Sequence, residues 1–335
     1  MAGPLVEYPI SLDSKRHIAH SLWGSPDCDD LQAYFRYYTL QCAQIIQACE
    51  SPSFPLTCHQ DVLDIASDIR ARFPHTDIKQ RLSTRRRQQQ QQVSDDHLSN
   101  AISLVVRLLL MLDVGEFQNA YTGRARFVWS SGTIDDFLGS LPVFSKAATH
   151  CHDSGKFGSV FNARNLDRIA GIKVKLTTNL ADHLLFREGE VKTVNVFHHA
   201  SFLRRQEHIN SVFPPEFIAE TLQTLALLFP KGDMTVEKWY RRLGESDELD
   251  LKVLRCGAAD RRIENYVYWQ DRLIRLKDAF DEARPATLAQ WWNDRRDGVQ
   301  WYTLWLAIAF TVFFGLIQSV EGAIQVYKAF HPAEA

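Results

Sequence analysis

From Trp301 to Val320 the chain reads WYTLWLAIAFTVFFGLIQSV, a run of about twenty residues without a formally charged side chain. As a helix rising about 1.5 Å per residue, such a run covers the roughly 30 Å hydrocarbon layer of a bilayer. Its Leu, Ile, Phe and Val side chains gain about 0.3 to 0.6 kcal/mol each near the helix centre, roughly 3 to 5 kcal/mol in sum, offset in part by Thr303, Thr311, Gln318 and Ser319. Trp301, Tyr302 and Trp305 at one end, and Tyr327 with Lys328 beyond the other, place amphipathic rings where headgroups lie. A buried helix of a soluble domain is usually shorter, and few residues follow Val320 to cover this one. The sequence therefore predicts a single transmembrane helix. By contrast AISLVVRLLLMLDV, from Ala101 to Val114, is too short to span and carries Arg107 in its middle, so it reads as a core helix.

Arg284, Arg295 and Arg296 precede the span and only Lys328 follows it, a bias that keeps the N-terminal side cytoplasmic. The N-terminus MAGPLVEYPISLDSKRHIAHSLWG lacks a basic start followed by an apolar run, and Glu7 and Asp13 argue against a mitochondrial presequence. The short tail after the span implies a tail-anchored topology. Within the span Thr303, Ala307, Thr311, Gly315, Ser319 and Ala323 recur at every fourth position, a stripe of small side chains against which a second copy can pack; small residues are also simply frequent in membrane helices.

The 335 residues are 45% hydrophobic and 23% charged, which is globular composition, and the formal charge of -2 gives no global attraction to nucleic acid. Cys28, Cys42, Cys49, Cys58, Cys151 and Cys256 are dispersed without paired spacing, as reduced thiols in a cytosolic setting are.

Helical periodicity is visible over Asp30 to Glu50, Gln60 to Arg72 and Asp96 to Leu112. Between them STRRRQQQQQVSDD has no apolar face, so Thr76 to Val93 reads as a mobile surface linker whose Arg85, Arg86 and Arg87 are solvated, with contact to phosphate or lipid headgroups, or nucleic-acid binding, as the alternative. A short strand at Arg126 to Trp129 and a helix from Thr133 follow, an order that resembles part of a winged helix without assigning DNA binding. Period-2 stretches around Lys173 to Thr177 and Val191 to Phe197, with Leu184 to Phe186 as a third strand across the REGE turn, predict a small sheet. Proline brackets a buried helix between Glu216 and Phe229, and RRIENYVYWQDRLIRLKDAFDEA predicts an amphipathic helix with Ile263, Tyr266, Val267, Leu273, Ile274 and Phe280 inward. The expected fold is mainly α with a small β-sheet (α+β): an N-terminal helical region over 1–75, the basic, glutamine-rich linker over 76–93, and a helical domain over 94–298 with its sheet around 157–205. The transmembrane helix and its extension over 299–328 and a short tail over 329–335 complete it.

The strand pairing would bring His183 and the pair His198, His199 toward one end of the sheet, with Asp182 and Asp167 near in sequence. Imidazole and carboxylate can hold a divalent metal or act as acid and base, so His183, His198, His199 and Asp182 are the candidate catalytic residues and the three histidines the candidate metal ligands. No HExxH, CxxC pair, Gly-rich phosphate loop or GxSxG accompanies them, and hydrogen-bonded core histidines are the alternative reading. His150, Cys151 and His152 form a second, loop-borne cluster. No cofactor is indicated.

The blocks NLADHLLF, VFHHASFLRRQ, ETLQTLALLFP, YWQDRLIRLKDAFDEARPATLAQWWNDRRDGVQWYTLW and FFGLIQSVEGAIQVYKAF resemble a large family of filamentous ascomycete fungi, well over the C-terminal half and loosely over the rest. That family has no established activity, so the resemblance implies a fungal membrane-anchored protein and transfers no site residues. The expected function is a single-pass protein with a cytosolic interaction or scaffold domain, whose partners are the lipid bilayer, other proteins and, through the span, a second copy. The alternative is a membrane-tethered enzyme using the histidines.

Overall fold

The computed structural model describes residues 3–5, 9–49, 54–90, 93–115, 127–146, 155–207, 212–244, 248–283, 292 and 298–330. Its first half is a set of helices, α1 (Leu12–Trp23), α2 (Gln32–Cys49), α3 (His59–Arg70), α4 (His75–Gln88), α5 (Asp95–Leu110) and α6 (Ile134–Ser140). Local chemistry sets their ends. Ser11 accepts from the Ser14 N–H at the start of α1, and Ser94 does the same for His97 at the start of α5. Thr133 and Asp136 form a reciprocal capping box on α6. Gly24, at φ 71°, closes α1 in the left-handed conformation that glycine adopts at no steric cost.

Helix α5 lies at the centre of this half, packed by α2, α3 and α4, with every side chain from Val105 to Leu110 buried. The carbonyls of its last turn accept hydroxyl donors from α2. The Tyr34 hydroxyl donates to Leu108 O at 2.8 Å and the Tyr37 hydroxyl to Arg107 O at 3.2 Å, so α2 caps α5 from the side. Arg107 itself is buried and donates to the Gln41 amide oxygen at 3.3 Å, which explains how a charged residue sits within an apolar core helix.

The second half contains α7 (Ala163–Arg168), β1 (Lys173–Thr177), β2 (Phe186–Arg187), β3 (Thr193–Phe197), α8 (Ala200–Glu207), α9 (Pro215–Leu228), α10 (Met234–Tyr240) and α11 (Gln270–Asp281). The sheet order is β1-β3-β2. β1 runs parallel to β3, Lys173 opposite Thr193 and Thr177 opposite Phe197, while β2 pairs antiparallel with Phe186 opposite Val194. A further bond from Leu184 N to Asn195 O, at 2.8 Å, extends the β2 edge as the sequence suggests. One continuous hydrophobic core runs from Leu5 to Phe280 through both halves, and the Leu180 N–H bound to Met111 O at 2.8 Å joins the sheet region to the end of α5. The last helix, α12 (Gly298–Phe330), stands outside this core. The fold is thus mainly helical with a three-stranded sheet and one long apolar C-terminal helix.

Three expectations differ from the structure. The stretch expected as a mobile linker from Thr76 is helical through Gln88, because Ile78 and Leu82 bury one face and the Arg86 guanidinium, also buried, pairs with Asp61 at 2.7 Å. The helix expected from Arg261 begins only at Gln270. The Glu220 carboxylate of α9 accepts the backbone N–H groups of Val267, Tyr268 and Trp269 at 2.7 to 3.0 Å and holds that stretch in a bend before α11 starts. Ile263 and Tyr266 are buried nevertheless, whereas Val267 is turned outward. The middle segment forms the small sheet rather than a winged helix: Phe127 makes a single bridge to Val114, and residues up to Arg126 lie outside the described ones.

Candidate functional site

His183 and the pair His198, His199 all sit at the Thr177 end of the sheet, but in two separate surroundings. His183 follows a short helical turn at Leu180–Asp182 and is fully buried. Its Nδ1 accepts the Phe197 N–H at 3.1 Å, which leaves the proton on Nε2 to donate to the Thr224 hydroxyl at 2.7 Å; Thr224 passes the chain on to Thr221 O at 2.6 Å. Trp269 meets the ring edge-on at 4.7 Å, and Arg272 donates to the carbonyls of Ala181 and His183. Burial, with the Arg272 charge beside it, pushes the His183 pKa down to about 3, so the ring is neutral. Both nitrogens of this imidazole are engaged, one with β3 and one with α9, while α11 reaches the His183 backbone carbonyl through Arg272. Asp182 is buried beside it, and its charge supports the Arg272 guanidinium, whose pKa burial otherwise lowers.

His198 and His199 lie on the other side, facing α2. His198 places Nδ1 at 3.1 Å from Thr177 O and Nε2 at 3.2 Å from Glu248 O. A neutral ring can donate to only one of these carbonyls; burial lowers its pKa, and the two carbonyls work in the opposite direction. His199 packs against it with ring centroids 4.3 Å apart, near Tyr37 at 6.2 Å. It is buried, its pKa lies well below the ordinary value because of that burial and of His198, and neither ring nitrogen has a hydrogen-bond partner. Asp167 is remote from all three: it pairs with Lys173 at 2.7 Å, at the far end of β1, about 13 Å along the strand from Thr177. Among the described residues no group of three His, Cys, Asp or Glu side chains is placed to hold a metal ion. The cluster His150, Cys151 and His152 lies outside the described residues.

A cleft of about 660 Å³ opens over the His198–His199 pair. Its walls come from α2 (Arg36, Tyr37, Leu40, Gln41, Gln44), from β1 and the residue after it (Val174, Lys175, Leu176, Thr178) and from Leu243, Glu248 and Leu249. Arg36 pairs with Glu248 across it at 2.5 Å. The sequence showed the histidines but not the cleft, because α2 and Glu248 reach it from distant parts of the chain. A second depression of about 630 Å³, lined by Lys146, Tyr268, Trp269 and Arg272, has Lys146 tied to Glu216 at 3.0 Å and Arg272 tied to backbone carbonyls.

The other feature is α12. Trp301–Tyr327 forms 27 residues of mean hydropathy 1.9 with none of its apolar window buried against the rest of the chain, long and apolar enough to cross a membrane. Thr303 and Thr311 donate their hydroxyls to the carbonyls of Val299 and Ala307, at 3.0 and 2.9 Å, so neither carries an unmet donor into the apolar run. At its start Trp301 donates to Trp292 O at 3.0 Å, and Trp292 meets Trp305 edge-on at 4.5 Å, an aromatic cluster at the end where the interface falls. The orientation argument from Arg284, Arg295 and Arg296 rests on residues outside the described ones. Comparison with protein-family models, with curated proteins and with solved structures finds no match, so the fungal resemblance is carried by the quoted sequence blocks alone.

Proposed function

We propose that the chain is a single-pass membrane protein whose helical domain faces the cytosol and serves as an interaction module held at the bilayer surface. The supporting observation is α12: an apolar helix of 27 residues that the rest of the chain leaves uncovered. Water would have to solvate that surface at about 25 cal/mol per Å², whereas lipid removes the cost. The basic residues before the span support the cytosolic side. A fungal origin is part of the same reading and is supported by the sequence blocks. In sealed vesicles carrying the expressed chain with their cytosolic face outward, added protease should digest residues 1–283; a protected domain with a cleaved tail reverses the orientation.

The small-residue face, Thr303, Ala307, Thr311, Gly315 and Ser319, supports packing of a second copy in the membrane, since a Cβ added at Gly315 meets nothing of the same chain within 4 Å. Cross-linking in detergent should give dimers that Gly315→Leu reduces; identical monomer patterns remove this part. The alternative, a membrane-tethered enzyme at His183, His198 and His199, has the unpartnered His199 in its favour, but His183 is consumed by structural bonds.

A further inference from the structure

We propose that Gln318, Glu321 and Gln325 form a polar seam inside the membrane through which two parallel copies of the chain pair, the glutamine amides of each copy donating to the Glu321 carboxylate of the other. This rests on the membrane reading of α12 and deepens the pairing of two copies by giving it a register and hydrogen bonds.

From Leu304 to Leu316 apolar side chains are exposed all round α12, and then the pattern changes. Gln318, Glu321 and Gln325 stand at i, i+3 and i+7, which at about 100° per residue puts them on one face about 60° wide. They also lie deep. Trp305 and Tyr327, the inner rings of the two aromatic belts, are separated by about 33 Å of helix, the thickness of the hydrocarbon layer. Gln318 then falls about 3 Å from the midpoint, and Glu321 about 9 Å short of Tyr327. Helix side chains lean toward the N-terminus, so these lean back toward the middle of the bilayer rather than out to the nearer surface. All three are exposed, and none makes a hydrogen bond or ion pair with another described residue, whereas Thr303 and Thr311 are satisfied within the helix. Lipid offers an amide or a carboxylate no partner, so another helix must supply one.

The spacing selects a second copy. Copies inserted in the same orientation lie parallel, with equal residues at equal depth. Thr311, Gln318 and Gln325 recur every seven residues, the repeat that keeps one edge of a helix against a parallel neighbour. A side chain on that edge enters a hole lined by its own counterpart and by the residues three after and four before it on the facing helix. Gln318 of one copy therefore meets Gln318 and Glu321 of the other, and Gln325 meets Gln325 and the same Glu321. Each amide has two N–H donors, so two glutamines together can satisfy both oxygens of the facing carboxylate. These charge-assisted bonds offset the approach of the two Glu321 side chains. Gly315 and Gly322, one turn beyond Thr311 and Gln318, let the backbones come close enough to form them.

The test is sedimentation equilibrium of the full chain in density-matched detergent micelles. A reversible dimer is expected, with association at least about tenfold weaker in Gln318→Leu/Gln325→Leu and changed by less than about threefold in Glu321→Gln, whose amide still accepts. Leucine is the more apolar residue and α12 lies outside the core, so the double variant keeps its anchor and its folded domain. A monomeric wild type overturns the proposal, as does a double variant that dimerises as tightly as the wild type. Ser319→Leu separates the seam from the stripe of small residues at every fourth position. Ser319 lies about 100° round from Gln318, so the seam predicts unchanged association. Dissociation in Ser319→Leu with the glutamine variant unaffected overturns the seam and leaves the pairing of copies standing, whereas release of the wild-type chain by alkaline carbonate overturns the membrane reading and the seam together.

Discussion

Two buried residues give the domain opposite responses to acid. His183 is neutral in the fold, with its pKa pushed down to about 3 from the ordinary 6.5, because burial removes the solvation a charged ring needs and the Arg272 guanidinium repels it. A group depressed in this way stabilises the fold above its unfolded pKa and loses that contribution as pH falls from about 6.5 toward 3. By pH 5 the loss is about 2 kcal/mol from His183, and His199 adds to it in the same direction. Asp250 works the other way. Its carboxylate accepts Ser201 N, the Ser201 hydroxyl and Lys252 N at 2.5 to 2.9 Å, yet burial, with Asp30 nearby, pushes it up to about 6. A raised carboxyl favours the fold when protonated, so its contribution is fully present below the unfolded pKa near 3.9 and fades as pH rises through 6. Between pH 7 and 5 Asp250 restores about 1 kcal/mol. Urea denaturation should therefore show a less stable protein at pH 5 than at pH 7, and a steeper decline, by about 1 kcal/mol, in Asp250→Asn. A flat profile would show that the histidines are hydrated.

At the level of elements, α4 is the place where reading by pattern and reading by packing part company. The triplet Arg85, Arg86, Arg87 looks uniform in sequence, but the helix turns each residue by about 100° and gives the three side chains different surroundings. Arg85 pairs with Asp64 in solvent, Arg87 is exposed, and Arg86 lies buried between Asp61 and Gln89. Removing Arg86 takes the ion pair from Asp61 and leaves it the bonds from Thr57 and Cys58, so Arg86→Ala should cost about 2 kcal/mol in denaturant while Arg87→Ala stays within about 0.5 kcal/mol. Equal effects would restore the solvated-linker reading of this stretch. The elements legible in sequence were those whose apolar period is unbroken: α2, α3, α5 and α9 lie within a few residues of expectation, and so do β1 and β3. What stayed hidden depended on a distant partner. Glu220 delays the start of α11 by binding three backbone N–H groups about fifty residues away, and nothing local in RRIENYVYW records it. The histidines stood out by type, but their division between a structural bond network and an open cleft depends on Thr224, Trp269 and α2, which only the fold brings to them.

For the whole molecule, the decisive quantity is the balance between a domain that buries its own core and a helix that does not. Among the described residues the core runs from Leu5 to Phe280, while α12 exposes Leu304, Leu306, Ile308, Phe310, Val312, Phe314 and Leu316 around its whole circumference. A helix used to complete a core would show one apolar face and one polar face; over these residues this one is apolar all round, the pattern of a helix in lipid. The favourable insertion energy, roughly 3 to 5 kcal/mol over Trp301 to Val320, is small enough for one charge to cancel. Arginine at a helix centre costs about 2.5 to 3.5 kcal/mol and removing Phe313 forfeits a few tenths more, so Phe313→Arg brings insertion close to balance. The wild-type chain should resist alkaline carbonate extraction, Phe313→Leu should behave like it, and Phe313→Arg should pass in large part to the supernatant. Since Phe313 touches none of the core, the variant's domain should unfold at the same urea concentration as the wild type's, which separates loss of anchoring from loss of fold. Release of the wild-type chain by carbonate would mean that protein, not lipid, covers α12, and the partner providing that cover would then be the first thing to identify.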